Sequence, residues 1–123
     1  MELLVIGIKI FIFISTLNVW LFRFKKKTPY RGSSSNSMRE EFAAYGLSES
    51  IMYLVGGLKI ASALGLILSI WFSWITPYAA GLMAVLMLGA IFMHLKINDP
   101  LKKSFPAFLF LVLSLFLIVV HLF

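Results

Sequence analysis

IMYLVGGLKIASALGLILSIWF, residues 51–72, carries one charged side chain, Lys59, in a run that is otherwise apolar or small. A helix of about 20 such residues, rising about 1.5 Å each, crosses the ~30 Å hydrocarbon core of a bilayer. Outward from it, residues 3–22, 77–95 and 105–123 repeat the pattern. The connections are too short for a separate soluble domain, so residues 1–123 read as one transmembrane unit. The expected fold is all-α: an integral membrane four-helix bundle of up-down topology.

Composition agrees. At 61% hydrophobic, the chain lacks the polar residues that a water-facing surface needs. The formal net charge is +6, from 11 Lys and Arg against 5 Asp and Glu. These cations flank the spans, which points to anionic lipid headgroups rather than nucleic acid. There is no cysteine, so disulfides, thiolate metal sites, iron–sulfur clusters and dithiol relays have nothing to be built from. The first span does not resemble a cleavable signal: Glu2 replaces a basic start, the apolar run is long, and Arg23-Phe24-Lys25-Lys26-Lys27 follows it.

The loops set an orientation. Residues 23–50 hold Arg23, Lys25, Lys26, Lys27, Arg31 and Arg39, and residues 96–104 hold Lys96, Lys102 and Lys103, whereas residues 73–76 hold no cation. The positive-inside rule makes loops 23–50 and 96–104 cytoplasmic and turns both termini outward. A bacterial inner membrane is the expected location. Trp71, Trp74 and Tyr78 then form an interfacial belt at the outer turn.

Inside the first loop, Arg31 to Asn36 reads as a flexible polar linker. Ser37 with Glu40 is a capping box, Met38, Phe42 and Tyr45 share one helical face, and Gly46 suits a helix stop. A short interfacial helix over 38–45 follows. Asn98-Asp99-Pro100 signals a turn. Gly57, Ala61, Gly65 and Ser69 form a small-residue stripe on the second span, and Ala80, Ala84, Gly81 and Gly89 supply small faces on the third. Those two faces are expected to meet, with the Leu- and Phe-rich fourth span at the periphery against spans one and three.

Polar residues within the spans are the candidates for function. Lys59 lies about 12 Å in from the end of span two, where a lysine costs about 2.5–3.5 kcal/mol. Ser15, Thr16 and Asn18 stand at similar depth on span one, able to bond it but not to neutralise it. Structural pairing competes here with contact to a ligand. Lys9 reads as an anchor able to extend outward, or as a residue sharing depth with His121. His94, at the end of span three, is either a hydrogen-bonded interfacial residue or part of a polar cluster with Glu49 and Asp99. Histidine as a residue type titrates near neutrality and can relay protons or hold a polar head. Lys59, His94, Glu49 and Asn18 are therefore the candidate ligand-binding set. His94 and His121 fall at opposite faces, which disfavours haem, and a dedicated metal site lacks donors. No nucleophile–base pair is visible, so no catalytic residue is assigned.

Residues Met38-Arg39-Glu40-Glu41-Phe42-Ala43-Ala44-Tyr45-Gly46-Leu47, then Gly56-Gly57-Leu58-Lys59-Ile60 and Ala63-Leu64-Gly65-Leu66, resemble the DoxX-like membrane proteins. Gly89-Ala90, His94, Asp99-Pro100 and Pro106-Ala107 continue the pattern in the same order. The resemblance implies four spans with an interfacial or re-entrant element before the second. It also implies kinship with a subunit of a thiosulfate:quinone oxidoreductase, with partners in oxidative-stress complexes and, more distantly, with a receptor-assembly chaperone. Lys59 stands where the family is expected to carry glutamate, so no carboxylate role transfers to it.

Three functions follow as expectations. The first is a non-catalytic accessory subunit of a quinone-linked membrane redox complex, with quinone as the possible ligand. The second is a scaffold or assembly factor that packs against partner transmembrane helices or against itself. The third is a small transporter or channel, for which few buried polar groups are available.

Overall fold

A computed structural model describes residues 2–22, 24, 25, 30, 32, 35 and 37–123. Helix α1, Glu2–Leu17, continues as a π-helical turn over Asn18–Phe22. Helices α2 (Met38–Ala44), α3 (Glu49–Leu68), α4 (Thr76–Lys96) and α5 (Phe105–Leu122) follow, with 3-10 turns at Ser73–Ile75 and Leu101–Ser104. No strand occurs among the described residues. Four helices are long and apolar enough to cross a membrane: α1 with its π turn, α3, and α4 and α5 each with the 3-10 turn before it. Arg23, Lys26, Lys27, Arg31, Ser33, Ser34 and Asn36, from the basic loop and its linker, lie outside the described residues.

The helix boundaries have local causes. Ser37 accepts from the Glu40 backbone N–H at 3.3 Å and Ser48 from that of Ile51 at 3.3 Å, each satisfying a donor that the first turn leaves open. Pro77 and Pro106 open α4 and α5, where a missing N–H costs nothing. Two helices end in the same way. After α2, Gly46 takes φ +79°, with Gly46 N–H bonded to Ala43 O and Leu47 N–H to Phe42 O. After α4, Asn98 takes φ 57°, with Asn98 N–H bonded to Leu95 O and Asp99 N–H to His94 O. Both are Schellman stops, which need a residue tolerant of the left-handed region.

Helix α3 is shorter than the apolar run 51–72. Ser69 ends it, bonding its hydroxyl back to Leu66 O at 2.6 Å, and tight turns carry the chain through Ile70 and Trp71 to the 3-10 turn. A serine that bonds its own preceding backbone competes with helix propagation.

The spans pack in sequence order around the bundle, α1 on α3, α3 on α4, α4 on α5, with a slighter contact between α5 and α1. Phe11 and Phe110 make that last contact edge to face, centroids 5.8 Å apart. The expected meeting of small faces holds at one end only. Gly65 lies against Ala79, where an added Cβ would come within 3.0 Å of the alanine methyl, and Ser62 donates to Ala79 O at 2.7 Å. Gly57 and Ala61 are exposed instead, and a Cβ on Gly81 or Gly89 would meet nothing within 4 Å. One apolar cluster, including Ile12, Leu66, Met83 and Leu117, fills the half of the bundle near the α3–α4 turn. A second, Trp20, Met38, Phe42, Tyr45 and Met52, fastens α2 beneath the other half.

Lys9 does not extend outward. Its side chain is buried, donating to Thr76 Oγ1 at 3.1 Å and Ser69 O at 3.4 Å. Ser69 is the C-cap of α3, so the ammonium sits where unpaired carbonyls and the negative end of the helix dipole concentrate. That site competes with the interface for the cation. His121 is exposed and takes no part.

Candidate functional site

Between the two apolar clusters lies a cavity of about 570 Å³, walled by all four spans and closed at one end by α2. Its apolar lining includes Val19, Val55, Leu86, Met93 and Phe110. The consecutive residues Asn18, Val19 and Trp20 of the π turn all lie on the cavity wall.

The polar groups gather near α2. Tyr45 donates its hydroxyl to Glu41 Oε1 at 2.6 Å, an i,i+4 pair along the buried side of α2. Gly32 N–H donates to the same oxygen at 3.1 Å. Tyr45 Oη also lies 3.4 Å from His94 Nε2, and the two rings meet edge to face. On its other side His94 bonds through Nδ1 to Asp99 Oδ2 at 2.8 Å, and Lys103 stands 3.9 Å from the second Asp99 oxygen. The Schellman stop explains this contact: it folds the residue after Asn98 back over the last turn of α4. The site that usually takes an apolar pair here holds a histidine and a carboxylate. With Nδ1 facing Asp99, the ring presents Nε2 toward Tyr45 and the cavity.

Lys59 reaches the cavity from α3. Its ammonium lies over the Trp20 ring at 5.4 Å from the centroid, a cation–π contact that gains strength away from water. Glu41, on α2, lines the same cavity. Trp20 can approach α3 so closely because residue 56 is glycine; a Cβ there would fall 2.5 Å from the indole ring.

Three of the four candidate residues, Lys59, His94 and Asn18, line the cavity together. Glu49 does not join them. It lies on the exposed side of α3, 67% exposed, where Arg39 binds its carboxylate and also donates to the Tyr53 hydroxyl. The bond and charge of Glu49 hold the Arg39 pKa above its ordinary value. The polar cluster around His94 is therefore built with Asp99, Tyr45 and Glu41 rather than Glu49. Sequence reasoning passed over Glu41, although its signal was present: it falls between Met38 and Phe42 on the apolar face of α2, where a carboxylate is out of place. Ser15, considered as a partner of Lys59, is not on the cavity wall, whereas Thr16 is. Among the described residues, no three His, Cys, Asp or Glu side chains are grouped to hold a metal ion.

Donors and acceptors at one end of an apolar chamber suit a small amphipathic molecule whose head accepts and donates hydrogen bonds. Fold and site together define a small integral membrane protein: four spans lining a half-open chamber, with a short helix as its floor. Residues 32–117 match the family model of the DoxX-like family, and the chain belongs to that family. No curated protein and no solved structure matches the chain.

Proposed function

We propose that this protein is a non-catalytic accessory subunit of a quinone-linked membrane redox complex, holding a quinone in the chamber above α2. The observation that carries this reading is the convergence of Lys59, Tyr45 and His94, from three helices, at one end of an apolar space of about 570 Å³. A quinone offers a ring carbonyl to the Lys59 ammonium and an apolar tail to the remaining wall, while Tyr45, whose proton goes to Glu41, and His94 complete the polar end. The test is extraction and chromatography of lipids from protein purified in mild detergent, together with the thermal shift on adding a short-chain quinone. Copurifying quinone or a saturable stabilisation supports the reading; neither one would sink it.

The scaffold alternative has its own observation: Gly57 and Ala61 stay exposed on α3, the kind of small surface on which a partner helix packs closely. A stoichiometric partner captured in mild detergent would favour it, and a clean monomer would count against it. The transporter reading has the least support. Fully buried Ile12, Leu66 and Met83 lie along their helices between the levels of Lys9 and Lys59. For orientation, the proposal places the α2 end of the bundle in the cytoplasm of a bacterial cell, with Glu2 and His121 facing out. Lys25, Arg39, Lys96, Lys102 and Lys103 all belong to that end.

A further inference from the structure

A second concavity lies on the outside of the bundle, in the crease between the end of α1 and α3. It measures about 470 Å³ and is lined by Trp20, Phe22, Lys25, Tyr53, Gly57 and Ile60 among others. Exposed apolar residues alone mean little in a membrane protein, since lipid covers them everywhere. Three features set this crease apart. Gly57 leaves its floor without a side chain, with nothing within 4 Å of where a Cβ would stand, whereas the place of a Gly56 side chain is taken by the Trp20 ring. From Tyr53 to Ile60 its α3 wall extends about 10 Å toward the middle of the span at helical rise, so the groove runs along the bilayer normal. The charge at its mouth has one predominant sign. Lys25 lines the groove and is exposed. Arg39 lies over two further lining rings, Phe24 at 5.9 Å and Tyr53 at 5.6 Å. Glu49 accepts from one terminal nitrogen of that guanidinium and the Tyr53 hydroxyl from the other, which leaves three of its five N–H groups to offer.

We infer that this groove is a binding site for one anionic phospholipid of the bilayer, an acyl chain lying over Gly57 with the phosphate between Lys25 and Arg39. A groove that is apolar along the membrane normal and cationic at its interfacial end matches that molecule in both parts. The inference is independent of the quinone reading, because Trp20 is the one residue that the groove and the chamber share in their linings.

Native mass spectrometry of the full chain in detergent, titrated with palmitoyl-oleoyl phosphatidylglycerol or the matching phosphatidylcholine, tests it. Phosphatidylglycerol should bind its first site more tightly by about fivefold or more, the effect of one to two cations near a headgroup. Gly57→Leu, at a position where a Cβ meets nothing within 4 Å, puts a side chain into the groove and should weaken phosphatidylglycerol about tenfold, while Lys25→Gln should reduce its advantage over phosphatidylcholine. Gly81→Leu, at a position on α4 where a Cβ likewise meets nothing within 4 Å, serves as control and should change nothing. Equal affinity for the two lipids, an unchanged titration of Gly57→Leu, an advantage undiminished in Lys25→Gln, or an equal loss in Gly81→Leu would each overturn the inference.

Discussion

Lys9 and Lys59 are the same residue in similar apolar helices, yet the structure treats them differently. Lys9 meets a hydroxyl and a carbonyl at the end of α3, a site whose partial charges suit a cation. Lys59 faces a ring and a cavity, and its placement in the span carries a cost of about 2.5–3.5 kcal/mol on insertion scales. Lys59→Met should therefore raise the melting temperature in detergent and abolish the stabilisation by quinone. If the variant melts higher and still responds to quinone, Lys59 has no part in binding. Ser114 offers a simpler test. It is fully buried on α5, and its hydroxyl has no hydrogen-bond partner among the described residues. An unmade bond of this kind costs about 1–3 kcal/mol, so Ser114→Ala should raise thermal stability. Gly56→Ala should do the reverse, destabilising by about 1–3 kcal/mol through overpacking against Trp20. Thermal unfolding in one detergent compares all three.

At the scale of elements, the short helix α2 and the turn after α4 build the polar end of the chamber. Neither is long, and both depend on one residue in the left-handed region, Gly46 and Asn98 respectively. Asn98→Gly should preserve the turn, whereas Asn98→Val should cost about 1–2 kcal/mol and separate Asp99 from His94. The measurement is again thermal unfolding, paired with quinone response: Asn98→Val should lose both, Asn98→Gly neither. The Arg39–Glu49 contact on the outer side of α2 is exposed, so it adds little to stability. What fastens α2 is the burial of Met38, Phe42 and Tyr45 against Trp20 and Met52, an apolar contact that survives high salt.

For the whole molecule, the proposed orientation predicts labelling from opposite sides. The chain has no cysteine, so a single introduced thiol reports its own side without background. Lys102→Cys should react with a membrane-impermeant maleimide only after cells are permeabilised, and His121→Cys in intact cells. The opposite pattern would reverse the bundle and place the α2 end outside. Hydropathy, caps and turn residues are local properties, so the four spans, the helix after Ser37 and the stop near Asn98 were legible in the sequence alone. The resemblance to the DoxX-like proteins was legible too, because it rests on the order of residues along the chain. Which sides of the helices face each other depends on how whole helices dock, and no local pattern records that. Only the tertiary structure could bring Lys9 to the end of α3, turn Glu49 outward to Arg39 and set Glu41, Tyr45 and Lys59 on the wall of one cavity. The chamber exists for the same reason: four spans and α2 must pack together before any of them has a wall.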